Sequence, residues 1–264
     1  MQGLADVKRH AEEPPEAANG RRDTSTPVLP ALPPAIVGAF GGRWWNEGRA
    51  PLERLQLARQ AVPLAHGGGR RVVLVTGYLA GAASSRPLVD WLRSAGYRVH
   101  IAPMRGNIGA SSTGVERIEQ TLHSANHETS TLIGHSRGGQ LARVAALRNP
   151  SLVDQLITLG APVRAHLPRN AALRTSVEAL RLIRLLPVGP KLDAQANTLY
   201  EQDLFAPFDV DVAWTSIWSK VDGVVEWQAC LDERARSIEV SASHIGLIAS
   251  VPSFKAIASV LDQP

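Results

Sequence analysis

The sequence predicts an α/β fold built on a mainly parallel sheet of about six strands with helices on both faces. Three observations carry this expectation. From residue 70 onward, short apolar runs rich in β-branched residues ("RVVLV", "STLI", "LITL") alternate with longer stretches of helical periodicity. These runs are apolar at successive positions rather than at every second one, the pattern of strands covered on both faces. Apolar residues make up 44% of the 264, enough for the core of one large domain.

Taken in chain order, residues 1–35 are rich in Ala, Glu and Pro and end in "TPVLPALPPA", a composition that buries too little apolar area to offset its ordering entropy. They are expected to form a disordered arm, leaving residues 36–264 as the domain. After Pro51 apolar residues recur at helical spacing, which predicts a helix burying Leu52, Leu55, Leu57, Ala58 and Val62, with Trp44 and Trp45 packed at the domain edge. "HGGGR" (66–70) lacks the lysine and hydroxyl of a phosphate loop and reads as a turn. "RVVLVTG" follows as a buried strand, "SRPLVDWLRSAGY" as a helix closing at Gly96, and "RVHIAPM" as a strand. "VERIEQTLHSAN" is helical, "STLIGH" strand, "RGGQLARVAALRNP" a helix stopped by Pro150, and "LVDQLITLGAP" strand. "AWTSIWSK" and "SIEVSA" are two further strands and "VPSFKAIASVLDQ" is the closing helix. Strands separated by helices imply right-handed parallel crossovers. Residues 163–212 interrupt this rhythm as an insertion too long for an ordinary connection. Its first part carries Val177, Leu180, Ile183 and Leu186 on one helical face, with Arg174, Arg181 and Arg184 largely elsewhere. Two readings follow: a helix packed over the sheet edge, or a cap whose apolar underside meets an acyl chain.

Composition removes several function classes. The net charge is +4, but the 24 arginines and 4 lysines are spread among acids and no basic block is interleaved with aromatics, so they read as solvated surface and not as a nucleic-acid interface. Cys230 is the only cysteine, which excludes an internal disulfide and a cysteine metal cluster and reads as a buried, inert thiol. No apolar stretch reaches the ~20 residues of a membrane span and the first residues lack the apolar segment of a secretory signal, so a soluble, cytoplasmic protein with no transmembrane segment is expected. His123 and His127 share a helical spacing of i, i+4, but with no third ligand near in sequence they read as a helix end. No cofactor or metal is implied.

The chemistry centres on "LIGHSRGGQ". Gly134, His135, Ser136, Arg137 and Gly138 match G-x-S-x-G, a pattern whose physical sense depends on a strand turning sharply into a helix. The serine then occupies a strained backbone conformation, and the glycines relieve the two points where chain segments crowd. The flanking "STLI" and "GGQLARVAAL" supply that strand and helix, so Ser136 is the candidate nucleophile. A serine hydroxyl needs a histidine base oriented by a carboxylate. Downstream of Ser136 stand only His166 and His244; His166 follows the next strand too soon for an acid to precede it, whereas His244 follows the last strand, from which it can lean over the elbow. For the acid, Asp193, Asp203, Asp209 and Asp211 lie in the insertion or ahead of the strand that ends in "IWSK", and Asp222 lies in the turn directly after it. An oxyanion needs backbone donors, which places the amides of Arg137 and of Tyr78, after Gly77, in that role. Leu79, His135, Leu180 and Ile183 are the candidate substrate-binding residues.

The segments "VVLVTGYLAG", "IGHSRGGQLARVAALRNP", "ITLGAPV", "SIWSKVDGVV" and "SHIGL", in this order, resemble the bacterial lipase and esterase branch of the α/β-hydrolase superfamily. That resemblance implies the α/β-hydrolase fold with a helical cap insertion and a Ser136, Asp222, His244 triad. It also implies hydrolysis of lipid-like or short-to-medium acyl esters through an acyl-enzyme. The chain departs from the pattern in carrying Thr76 and Gly77 where relatives show His-Gly or Pro-Gly, in placing an arginine after the serine, and in lacking the superfamily's first two strands before residue 70. An acyltransferase, a thioesterase and a polyester depolymerase could use the same triad, and a non-catalytic binding protein could use the same fold.

Overall fold

The computed structural model describes residues 44–77, 83–104, 107, 110–126, 128–163 and 194–262. Six parallel strands form one sheet in the order β2-β1-β3-β4-β5-β6: β1 (Arg71–Val75), β2 (Arg98–Ile101), β3 (Ser130–His135), β4 (Val153–Leu159), β5 (Ala213–Trp218) and β6 (Arg236–Glu239). Every residue of β1 and β3 is buried, as central strands covered on both faces require, while the edge strands β2 and β6 leave positions exposed.

Helices cover both faces. On one side α3 (Ser111–His123), α4 (Arg137–Arg148) and α5 (Ala194–Phe205) bury Val115, Ile118, Leu141, Val144, Tyr200 and Leu204 against Val73, Leu132 and Leu156. On the other, α2 (Arg86–Ser94) and α6 (Val251–Leu261) bury Leu88, Leu92, Phe254 and Ile257 against Val72, Leu74, Ile133 and Ile157. Gly96 closes α2 in the left-handed region, φ 86°, with its N–H on Arg93 O at 2.9 Å. Gly68 and Gly69 of "HGGGR" take positive φ in the turn before β1.

Three sequence expectations need correction. The helix after Pro51 exists, as α1 (Ala50–Arg59), but turns a different face inward: Leu52 (56% exposed) and Leu55 (44%) look outward, Ala58 and Trp45 are exposed, and Ala50 and Glu53 are buried. Val62 is buried and Leu57 packs partly against the core. The arginines are not all solvated surface. Arg71, Arg137 and Arg143 are buried, and the Arg143 guanidinium donates to the carbonyls of Asp203, Leu204 and Ala206 at 2.6–3.0 Å. It thereby satisfies the open carbonyls at the end of α5 while lying 5.4 and 5.3 Å from the ring centroids of Phe208 and Trp214. α5 itself went unforeseen, because its apolar periodicity is weak. The arm over 1–35, His166 and the helix expected over 167–190 lie outside the described residues. No helix among the described residues is long and apolar enough to cross a membrane.

Candidate active site

Ser136 joins the end of β3 to the start of α4 with φ 54° and ψ −127°, a conformation that an L-residue holds only when its surroundings enforce it. Its N–H donates to Leu159 O at 2.8 Å and its carbonyl accepts from Gly139 N–H at 2.9 Å. The crowding that the motif demands is present on both sides. A Cβ on Gly134 would stand 2.5 Å from Gly139 Cα, and one on Gly138 would collide with the carbonyl of Val75 and stand 2.5 Å from that of Thr76. Gly77 opens the loop after β1 directly against this turn, since a Cβ there would lie 3.3 Å from Ser136 Cβ. Tyr78 and Leu79 lie outside the described residues, as do Leu180 and Ile183.

Arg137 is the first residue of α4, so its amide lies at the positive end of the helix beside Ser136. Its side chain turns to the start of α3 and the chain before it, donating to Asn107 O at 2.6 Å and Ser111 Oγ at 3.0 Å. Asn107 (φ 52°) in turn donates from Nδ2 to Thr76 O at 2.8 Å, so the arginine braces the loop next to the elbow.

The loops after β5 and β6 bring Asp222 and His244 together. His244 Nδ1 stands 2.7 Å from Asp222 Oδ2, and the other carboxylate oxygen accepts the N–H groups of Val224 and Val225 at 2.7 and 2.8 Å. Both side chains are buried. Burial alone would lower the His244 pKa; the charge and hydrogen bond of Asp222, helped by the charge of Glu47, outweigh it and the net shift is upward from 6.5. Gly160, after β4, lies under this pair at φ 53°. A Cβ there would stand 3.0 Å from Asp222 Oδ2 and 3.4 Å from His244 Nδ1.

His135, expected to bind substrate, is buried and turned to His244: its Nε2–H donates to His244 O at 3.0 Å and the two rings lie 4.7 Å apart. Burial, then the neighbouring His244, push its pKa down to about 3, so it stays neutral. The ring pair also locates His244 against the residue directly before Ser136. His123 is exposed at the end of α3 with Nδ1 on Glu119 O, and His127 lies outside the described residues.

Two carboxylates that sequence reasoning passed over reach this site from the chain ahead of the sheet. Glu47, in the short 3₁₀ turn before α1, accepts the N–H groups of Gly223 (3.0 Å), His244 (2.8 Å) and Ile245 (3.1 Å). Glu53 accepts Ser243 N–H at 3.0 Å and Ser243 Oγ–H at 2.5 Å, and that hydroxyl oxygen accepts Gly246 N–H at 2.9 Å. No motif flags either glutamate. The one available signal is that Ala50, Glu53 and Leu57 share a helical face. Cys230 is 1% exposed and forms with Trp218 and Val225 a small apolar cluster beside the Asp222 loop; burial pushes its thiol well above the ordinary range.

Residues 70–180 match the family model for the α/β-hydrolase fold. Among curated proteins, the pimeloyl-[acyl-carrier protein] methyl ester esterase of Aliivibrio salmonicida is 37% identical over 110 residues, which are 40% of this chain and 40% of that relative. The match therefore spans two fifths of the relative's length. Among solved structures, an α/β-hydrolase enzyme from the metagenome of sediments of the Mar Chica lagoon, Morocco, superposes with a TM-score of 0.53. It is 18% identical, with 74% of this chain and 89% of that one covered. The mouse α/β hydrolase domain-containing protein 10 gives 0.51, at 15% identity over 73% and 88% of the two chains. At these identities the structural likeness establishes the fold.

Proposed function

We propose that this chain, a member of the α/β-hydrolase superfamily, is a serine carboxylic-ester hydrolase acting on lipid-like or short-to-medium acyl esters. The observation that carries the reading is the buried Asp222–His244 pair, 2.7 Å apart, set against the strained turn that holds Ser136. With its Nδ1–H on Asp222, His244 keeps Nε2 free as a base. Ser136 Oγ attacks the ester carbonyl carbon as Nε2 takes its proton. The resulting oxyanion is held by the amide of Arg137 at the start of α4 and, from the sequence pattern, by that of Tyr78. Collapse breaks the bond to the alcohol, which leaves with the proton from His244. A water deprotonated by His244 then attacks the acyl-enzyme, releases the acid and restores Ser136. The name of the Aliivibrio relative supports an ester as the bond cleaved.

The test is stoichiometric labelling of Ser136 by a fluorophosphonate, beside a panel of esters of graded chain length with thioesters, polyester and alcohol acceptors offered in parallel. One label per chain with kcat/KM highest on simple esters supports the reading, and labelling elsewhere or not at all removes it. Because the base must be neutral and its pKa is raised, kcat/KM falls as pH drops through a midpoint above 6.5. A midpoint below that value would contradict the pairing with Asp222.

A further inference from the structure

The geometry points to Glu47 as a positioning residue: its single carboxylate ties the loop that presents the acid to the loop that presents the base. This rests on the serine-hydrolase reading above. Asp222 and His244 sit on separate loops, after β5 and β6, and β6 is a short edge strand bonded to the sheet on one side only. The side-chain contact between the two cannot by itself fix both backbones. Glu47 does so by accepting Gly223 N–H, next to the acid, and His244 N–H on Oε1, and Ile245 N–H on Oε2. Bonds from amides to a carboxylate are charge-assisted and shorter-ranged in tolerance than neutral ones, so three of them set the spacing of the two loops closely. Glu53 repeats the device one residue earlier, on Ser243, and a Cβ on Gly246 would collide with its Oε2, so the base loop is clasped on both sides of His244. From beneath, His135 donates to the His244 carbonyl. The charged or titratable groups facing the His244 ring are thus Asp222 from the β5 loop, Glu47 from the segment before α1, and the neutral His135 from β3. A preorganised base within a few tenths of an ångström of its working position is what such outer support supplies.

The experiment compares wild type with Glu47→Gln, and with Glu128→Gln as a control at the Arg98–Glu128 pair on the surface. Glutamine keeps the shape, loses the charge and turns an NH2 toward one of the three donors. The expected result for E47Q is a kcat lower by about 10-fold or more with KM within about two-fold, the signature of support felt in the transition state. The acid limb of kcat/KM moves to lower pH, because the lost negative charge no longer favours the imidazolium. Fluorophosphonate still reaches one label per chain, but more slowly, and E128Q matches wild type. A labelled wild type accompanied by an E47Q variant with unchanged kcat and acid limb, or with a loss confined to thermal stability, overturns the positioning role alone. A wild type that takes no label overturns the serine-hydrolase reading and this one with it. Should E47Q not fold, hydrogen exchange on the wild type decides: the Gly223, His244 and Ile245 amides are expected to exchange as slowly as those of β5, and exchange at open-loop rates overturns the proposal.

Discussion

Residues 130–148 and residues 44–59 both end at His244, yet they reach it on opposite physical terms. The first stretch is a strand, a turn and a helix in which nearly every residue is buried, with glycines wherever two backbones meet. The second is a short 3₁₀ turn and a helix whose large apolar residues Leu52 and Leu55 face outward, and whose inward contacts, beside Ala50 and Leu57, are two carboxylates that accept from the loop around His244. Steric exclusion and apolar burial write themselves into composition and spacing. A carboxylate that accepts bonds from a distant loop leaves no periodic trace, because its partners are main-chain atoms that every residue carries.

Four substitutions break or sharpen that contrast, beginning with the largest effect. Ser136→Ala should lower kcat by roughly 10⁴ to 10⁶; an aryl-ester assay returning wild-type turnover would locate the nucleophile elsewhere. Asp222→Asn, which can no longer accept from His244 Nδ1–H through the same atom, should cost about 10⁴ in kcat with little change in KM. Gly138→Ala forces a methyl against two carbonyls of β1 and its exit, and the expected loss of about 3 kcal/mol or more in chemical denaturation would show that the elbow needs the space its glycines leave. The last test sets two residues of α1 side by side. Glu53→Ala strands the Ser243 N–H and hydroxyl and should cost about 1–3 kcal/mol, while Leu55→Lys, two positions on, should stay within about 0.5 kcal/mol. If the leucine proved the costlier of the two, the polar account of α1 would be wrong.

The six strands and five of the six helices were readable because nearly all couple an apolar run to a turn or a stop residue, as Gly96 ends α2 and Pro150 follows α4. Ser136, Asp222 and His244 were readable for a topological reason: in a parallel sheet the strand exits share one edge, so a serine, an acid and a histidine after β3, β5 and β6 converge there. α1's inward face, α5, the bracing role of the Arg137 side chain and Gly160 under the acid–base pair were not. Each depends on a partner far away in sequence. Gly160 illustrates this: "LGAP" reads as a plain turn, and only the fold places its missing side chain beneath Asp222 and His244.

The sealed pocket of Cys230 has a practical corollary. Its sulfur is shielded by Trp218 and by Val225, whose own amide holds the carboxylate that orients the imidazole. An alkylating reagent can meet that sulfur only during moments when this cover lifts, so the rate of thiol modification in intact protein becomes a clock for how often the carboxylate's loop breathes.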